Sequence, residues 1–165
     1  MGVRRRARRF ARGRHSLILL HIVARGRIGR SPEGELVERY LKRIAWPTRV
    51  TELPDSDGPR GGREPDAQPA TRRVLLDERG EAMGSLAFAT QLGRWRDEGV
   101  REARFLLGGA DGFGEAERAP GPGGADLLLS FGRATWPHML ARAMLAEQLF
   151  RATAILAGHP YHREG

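Results

Sequence analysis

Five short apolar runs along the chain have the composition of strands that are buried in a sheet. They cover residues 17–24, 49–53, 74–76, 104–107 and 127–129, and most of them are rich in Leu, Ile or Val. Continuous apolar runs of this kind predict strands with little exposure to water. The third run is expected to end at Asp77.

Between these runs, apolar residues recur at the spacing of a helix. Ser31 is a good cap for a first helix, and Pro47 ends that segment. A second helix is expected to open at Ser85 and to stop at Gly99. A short third helix is predicted near residues 115–118.

The last predicted helix is the longest. Pro137 suits its first turn, Thr135 just upstream is a candidate cap, and Gly158 stops it. The loop before it, residues 130–136, contains Gly132. A strand, a loop of small residues and a helix N-terminus in succession present backbone N–H groups to a ligand.

Strands and helices alternate without internal repeats, which predicts one α/β domain at residues 16–165. The expected architecture is a mainly parallel sheet with helices on both faces. Ligands of such sheets bind at the carboxyl ends of the strands. Three candidate loops lie there, at residues 77–80, 108–112 and 130–137, whereas the Gly- and Pro-rich residues 54–70 are expected to form a mobile loop.

Composition excludes several kinds of chemistry. The 165 residues include no cysteine, so disulfides, thiolate catalysis and cysteine-ligated zinc are ruled out, and the lack fits a cytosolic protein. No apolar run approaches the length that spans a membrane. His159 and His162 have no accompanying carboxylate cluster, so we expect no metal site.

The net charge of +8 comes mainly from one segment at the N-terminus. Seven arginines lie within residues 4–14, and setting them aside leaves 21 Lys and Arg residues against 20 Asp and Glu residues. We interpret residues 1–15 as a basic, disordered arm. Such an arm could contact nucleic-acid phosphates, or it could be a simple extension.

Individual residues in the candidate loops allow both a functional and a structural interpretation. Asp77 could accept hydrogen bonds from a ligand or could cap a turn. The glycines at residues 108–112 could admit a nucleoside or phosphate, although their spacing is neither a dinucleotide fingerprint nor a P-loop. His138, in the first turn of the last helix, could contact a ligand or could lie on the surface.

Four motifs in order give the chain a family resemblance. They are LLDERG at residues 75–80, FLLGGADG at 105–112, TWPHMLARAMLAEQLFRA at 135–152 and HPYHRE at 159–164. With these motifs the chain resembles the SPOUT class of methyltransferases, and within it the ribosomal RNA large subunit methyltransferase H family. The resemblance implies a C-terminal deep trefoil knot.

The resemblance also implies an activity. Family members are S-adenosylmethionine-dependent, cytoplasmic homodimers that methylate N3 of pseudouridine 1915 in helix 69 of 23S rRNA, on the assembled ribosome. Carried over to matching positions, the cofactor site would contain Leu76, Asp77, Gly109, Gly132, Arg133, Ala134, Thr135, Trp136 and Pro137.

The terminal motif supplies the candidate catalytic residues. Arg163 is expected to stabilise the anion of the target base, and His162 to relay or accept its proton. Tyr161 would stack on the base or hydrogen-bond to it, although packing against the last helix is an equally good interpretation.

Two alternatives and two departures from the family stay open. The chain could be a non-catalytic RNA-binding or ribosome-associated knot protein that works through its arginine arm, or a SPOUT methyltransferase with another RNA target. The family has a helix where residues 54–70 lie, so that helix is expected to be lost, and the arm itself is unlike the short family N-terminus.

Overall fold

The structure is a computed structural model, and it describes residues 17–55, 63–109, 112–121 and 123–163. The arginine arm therefore lies outside the described residues. The elements in order are β1 (Leu19–Arg25), α1 (Pro32–Arg43), β2 (Thr48–Leu53), β3 (Thr71–Glu81), α2 (Ser85–Asp97), β4 (Glu102–Leu107), α3 (Glu115–Arg118), β5 (Leu127–Leu129) and α4 (His138–Leu156).

The five strands form one sheet in the order β2-β1-β4-β3-β5, and every pairing is parallel. The α/β class and the parallel sheet predicted from the sequence are thus confirmed. The register sets Leu76 of β3 opposite Leu107 of β4 on one side and Leu129 of β5 on the other. β4 and β5 end at Leu107 and Leu129, whereas β3 continues past Leu76 to Glu81, so the carboxyl-terminal parts of the three strands meet at one edge.

The three long helices cover the same face of the sheet. α4 packs against both α1 and α2, and the core beneath them joins sheet residues such as Phe105 to Phe88, Leu145 and Leu149 of the helices. Phe88 and Phe105 meet edge to face with ring centroids 6.0 Å apart. Burial of this core between the helices and the sheet contributes hydrophobic stabilisation to the fold.

The opposite face carries a small apolar cluster and a buried network of charges. Oε1 of Glu102 accepts hydrogen bonds from Nδ1 of His21 at 2.6 Å and from Nε of Arg104 at 3.1 Å. Arg104 also donates to Glu64 at 2.9 Å, and Glu64 accepts from Nη2 of Arg73 at 2.8 Å. The network explains how the irregular segment at residues 63–68 can lie over this face.

No helix lies between β2 and β3 in the described residues 54–55 and 63–70. This agrees with the expected loss of the family helix, while residues 56–62 fall outside the description. The short helix α3 stands on the side of the sheet opposite α1, α2 and α4, where Arg118 reaches Asp77. Helices thus occupy both faces, but very unequally.

Two local predictions are wrong. β3 does not end at Asp77 but continues to Glu81, because Glu81 pairs with Leu129 after a shift in register. Thr135 does not cap the last helix, since α4 begins at His138 with Pro137 at its N-cap and no side chain there accepts from its backbone. The predicted cap of α1 is confirmed, because Oγ of Ser31 accepts from the backbone N–H of Gly34 at 3.0 Å.

A buried arginine joins α4 to the loop after β1. Arg142 donates to Glu52 at 2.6 Å and to the carbonyl oxygen of Gly26 at 3.1 Å. Only 1% of its side chain is exposed, so the pair stabilises one fixed position of the α4 N-terminal half.

Within the described chain, no helix combines the length and apolar character that a membrane span requires.

Candidate active site

A cavity of about 600 Å³ opens at the edge where β3, β4 and β5 end. Its walls come from the end of β3, from the loop after β4 and from the segment that joins β5 to α4. The volume falls within the range of roughly 300–1,000 Å³ that is common for small-molecule sites. The position is the one expected for a ligand of a parallel α/β sheet.

Eight of the nine cofactor positions predicted from the sequence line this one cavity. They are Leu76, Asp77, Gly109, Gly132, Ala134, Thr135, Trp136 and Pro137. Arg133 is exposed and is not among the lining residues. Residues far apart in the chain, from 76 to 137, are thus brought to one cavity by the strand register.

The segment between β5 and α4 holds its shape through its own hydrogen bonds. Ser130 is buried, and its hydroxyl both donates to the carbonyl oxygen of Gly132 at 2.8 Å and accepts from the Gly132 N–H at 3.1 Å. Gly132 has φ of +106°, which side chains disfavour. Nε1 of Trp136 donates to the carbonyl oxygen of Phe131 at 3.3 Å, and the residue stays 42% exposed.

Asp77 is a buried carboxylate in the cavity wall, with only 3% of its side chain exposed. Its Oδ1 accepts from the backbone N–H of Arg79 at 2.9 Å, and its Oδ2 accepts from Nε of Arg118 at 2.5 Å. Burial alone would raise the pKa of Asp77, but these hydrogen bonds and the charges of Arg118 and Arg79 lower the pKa overall. Asp77 is therefore a permanent anion near neutral pH.

Arg118 is a site residue that the sequence did not reveal. It lies on α3, in the connection between β4 and β5, and it lines the cavity beside its partner Asp77. Residues 108–126 form a Gly-rich connection in which no sequence motif marks Arg118 as a site residue. A contact between residues 41 positions apart depends on how the connection crosses β3.

The C-terminal tail packs on α4. The Tyr161 hydroxyl donates to Oε1 of Glu147 at 3.0 Å, and its ring meets Phe150 edge to face at a centroid distance of 4.6 Å. Burial first, and then the hydrogen bond to Glu147 and the charge of Glu147, raise the pKa of Tyr161 to about 12. The structure thus realises the packing interpretation of Tyr161, and its phenol stays protonated.

His162 and Arg163, the other two candidate catalytic residues, come directly after Tyr161 in the chain. His162 is partly buried, and its Nδ1 lies 3.1 Å from Nη1 of Arg151. Arg163 is exposed to solvent. Neither these two residues nor Tyr161 belongs to the described lining of the 600 Å³ cavity, so one chain does not bring the tail and the cavity together.

A second cavity of about 610 Å³ lies between the first one and the tail. It shares residues 129–132 with the first cavity, and its far wall includes Glu147 and Gln148. Ser85 donates to Gln148 at 2.7 Å, and Gln148 in turn donates to Glu147 at 2.8 Å. A continuous set of hydrogen bonds thus joins the wall of this cavity to the carboxylate that holds Tyr161.

The site has the features of one for a polar organic ligand. Its lining includes residues 130–132 and 134–137, the start of α4, which has no side-chain cap, and Leu76, Leu107 and Leu129. His138, in the first turn of α4, is exposed and also lines the cavity. Within the described residues, no cluster of three His, Asp or Glu side chains could hold a metal ion.

Comparison with known proteins agrees with this geometry. A family model described as a predicted SPOUT methyltransferase matches residues 18–162. Proteins named ribosomal RNA large subunit methyltransferase H are similar over most of the chain. The one from Rhizorhabdus wittichii is 70% identical over 148 residues, which cover 90% of this chain and 100% of the relative.

Two further relatives of the same name show how far the similarity extends. The protein of Sphingopyxis alaskensis is 64% identical over 90% of this chain and 99% of its own length. The protein of Paramagnetospirillum magneticum is 48% identical over 87% of this chain and 98% of its own length. The chain therefore belongs to the SPOUT methyltransferase family, whose fold includes a C-terminal trefoil knot, and within it to the ribosomal RNA large subunit methyltransferase H family.

Proposed function

We propose that this protein is an S-adenosylmethionine-dependent methyltransferase that acts on N3 of a pseudouridine in helix 69 of 23S rRNA, on the assembled ribosome. The observation that carries the proposal is the single cavity into which eight of the nine family cofactor positions converge. Family membership over residues 18–162 supports the same reaction class.

The residues around the cavity fit S-adenosylmethionine. The backbone of residues 130–137 offers N–H and C=O groups for an adenine edge, and the leucines at the strand ends offer an apolar wall. Asp77, held ionised by Arg118, can attract the positively charged end of the cofactor. When bound there, the cofactor supplies an electrophilic methyl group on sulfur.

The acceptor side needs a nitrogen that has lost its proton. N3 of pseudouridine lies between two carbonyl groups, so the negative charge of its anion spreads onto their oxygens. A fixed cation next to those oxygens lowers the free energy of that anion. We assign this role to Arg163, which is exposed and belongs to the C-terminal tail.

The tail should reach the cavity of a second subunit. In one chain the tail packs around Glu147, whereas the cavity lies at the start of α4 near His138. Nine residues of helix separate these points by about 13 Å along the axis. A homodimer in which each subunit's tail meets its partner's cavity would bring donor and acceptor residues together, and this is the arrangement that we propose.

Recognition should depend on the shape of the ribosome. Outside residues 4–14 the basic and acidic residues are nearly equal in number, so the folded domain carries no strong charge excess for naked RNA. We therefore expect good methylation of ribosomes and weak methylation of free 23S rRNA. The proposal also places the protein in the cytoplasm, where ribosomes are.

Two experiments test the proposal. Titration calorimetry with S-adenosylmethionine should show binding by the full chain, and substitution of Trp136 or Thr135 should weaken it. Methyl transfer to ribosomes and to free rRNA should then be compared in single turnovers. Absence of cofactor binding together with tight RNA binding would favour a non-catalytic RNA-binding protein, while methylation at another nucleotide would favour a different RNA target.

A further inference from the structure

Four polar side chains connect α4 to the tail in one chain of contacts. Glu147 accepts from Nε and Nη2 of Arg151 at 3.0 and 2.6 Å, and also from the Tyr161 hydroxyl. Nη1 of the same Arg151 lies 3.1 Å from Nδ1 of His162. Arg151 therefore joins the helix carboxylate to the histidine ring of the tail.

The donor and acceptor roles in this chain follow from the chemistry of arginine. A guanidinium group has only N–H donors and keeps its proton in proteins. Nδ1 of His162 must then be the acceptor in its contact with Arg151. A neutral imidazole that accepts at Nδ1 carries its single proton at Nε2.

We propose that Glu147 and Arg151 are positioning residues that hold His162 in its Nε2–H tautomer, so that the ring meets the RNA as a hydrogen-bond donor and not as a base. This inference rests on the proposed function for its biological meaning, but its geometry does not. It replaces the role of proton acceptor that the sequence suggested for His162.

The role has a definite chemical consequence. Nε2–H of His162 donates to a carbonyl oxygen beside N3 of the target base, on the same side of the reaction as Arg163. The N3–H bond breaks as solvent hydroxide takes the proton and becomes water. The electron pair stays on the base, where the imide oxygens share its charge. N3 then forms its bond to the methyl carbon while the bond from that carbon to the sulfonium sulfur breaks, and the sulfur keeps the electron pair and leaves as a neutral thioether.

The charged surroundings keep the arrangement fixed near neutral pH. Hydrogen bonds to Glu147 raise the pKa of Arg151, although burial opposes them, and the carboxylate charge adds to the effect. The guanidinium of Arg151 stands 4.9 Å from the centroid of the Tyr161 ring. From α1, Arg43 lies 4.4 Å from the Phe150 centroid and 5.6 Å from that of Tyr161, and Tyr40 packs at the same cluster.

The tautomer can be read directly by nuclear magnetic resonance. The full chain labelled with ¹⁵N-histidine would be recorded near neutral pH, and the His162 signals assigned by their loss in His162→Asn. We expect the pattern of an Nε2–H imidazole for His162. An Nδ1–H or imidazolium pattern would overturn the proposal.

Arg151→Met and Arg43→Met form a matched pair of variants. Both variants remove a guanidinium that lies near the Tyr161 ring. Of these two arginines, only Arg151 contacts the ring nitrogen of His162. Arg151→Met should convert His162 to a mixture of tautomers and slow single-turnover methylation about 10- to 100-fold, with cofactor affinity unchanged. Arg43→Met should leave the tautomer as it is. Equal tautomer patterns in Arg151→Met and the unaltered protein would contradict the proposal.

The pH profile separates the donor from the base. If solvent hydroxide takes the proton, the single-turnover rate should keep rising about tenfold per pH unit above about pH 6.5, the ordinary range of histidine. A rate that levels off there would show that a histidine is the base. Because the tautomer is measured without substrate, a correct tautomer with no methylation would count against the proposed function alone.

Discussion

Arg118 and Asp77 form a short ion pair, 2.5 Å from Nε to Oδ2, that ties α3 to β3 across the mouth of the candidate cofactor cavity. The two residues belong to the two segments that bound the cavity on this side. The connection between β4 and β5 therefore has a fixed position relative to the floor of the site.

Loss of this ion pair should weaken cofactor binding. Arg118→Met would leave the buried carboxylate of Asp77 without its guanidinium partner and would release α3 from the cavity wall. We expect the S-adenosylmethionine Kd to rise about tenfold, equivalent to about 1.4 kcal/mol. Calorimetry measures the Kd, and Arg94→Met, at an exposed position of α2, is the control. An unchanged Kd in Arg118→Met would show that the pair does not shape the site.

The buried network on the other sheet face should make the stability of the fold sensitive to acid. Burial raises the pKa of Glu102, but hydrogen bonds from Arg104 and His21, together with their charges, lower it overall. The pKa of Glu64 is also lowered overall, by hydrogen bonds from Arg73 and Arg104 and by their charges, against the effect of burial. A carboxylate whose pKa is lower in the folded protein than in the unfolded chain contributes its full stabilisation at pH values above the unfolded pKa, about 4.3 for Glu. This contribution is lost as the pH falls through the pKa of the folded protein. Stability should thus be flat near neutral pH and fall below about pH 4.

Glu102→Gln tests the same network at neutral pH. Arg104, of which 2% of the side chain is exposed, would lose the carboxylate that accepts from both its Nε and its Nη2. Breaking a buried pair in this way typically costs about 3–5 kcal/mol of unfolding free energy. Urea unfolding measures the loss, and Glu38→Gln, in an exposed pair with Lys42, should cost less than about 0.5 kcal/mol. Equal stabilities of the two variants would refute the importance of the network.

Gly80 should tolerate no side chain. A Cβ at this position would lie 2.6 Å from the carbonyl carbon of Leu128 and 2.7 Å from the backbone nitrogen of Leu129, both in β5. Backbone atoms cannot yield as a flexible side chain can, so Gly80→Ala should separate β3 from β5 and cost about 1–3 kcal/mol. Gly84→Ala is the control, because nothing lies within 4 Å of its Cβ. Thermal unfolding of both variants gives the comparison.

Tyr161 offers a way to separate the tail's anchoring from its chemistry. Tyr161→Phe removes only the hydrogen bond to Glu147, whereas Tyr161→Ala also removes the packing on Phe150. We expect a small loss of single-turnover rate in the first variant and a loss of at least about tenfold in the second. A large loss in Tyr161→Phe with intact folding would instead give the phenol a direct role in catalysis.

Much of the fold was predictable because its signals are local. The cap of α1 at Ser31, the apolar face of Phe88, Leu92 and Trp95, and the five strands all follow from short patterns in the sequence. The extension of β3 past Asp77 was not, since it depends on a register shift that brings Glu81 to Leu129. The Thr135 cap failed because the chain turns into α4 at Pro137 instead.

Some residues of the candidate site were predictable from the sequence and others were not. Its cofactor positions came from family motifs, and the strand register explains why distant motifs meet in one cavity. Arg118 and the Glu147–Arg151 pair carry no motif of their own, because their roles come from side-chain contacts with Asp77 and with His162. Such contacts between elements are what a single sequence reveals least.

The arginine arm should be dispensable for methyl transfer. Residues 4–14 lie before the segment that the family model matches, residues 18–162. Removal of residues 1–14 should therefore leave cofactor affinity and the methylation of ribosomes within about twofold, while reducing the salt-dependent binding of free RNA. Loss of methylation in the truncated protein, with its folding intact, would make the arm part of the substrate site.

Mapping of base methylation in 23S rRNA would identify the nucleotide that this protein modifies. Ribosomes from a strain that lacks this gene would be incubated with the purified protein and S-adenosylmethionine, and the rRNA nucleosides would be sequenced by mass spectrometry. We expect one new methyl group, on N3 of a pseudouridine in helix 69. No new methyl group, or one at any other nucleotide, would contradict it.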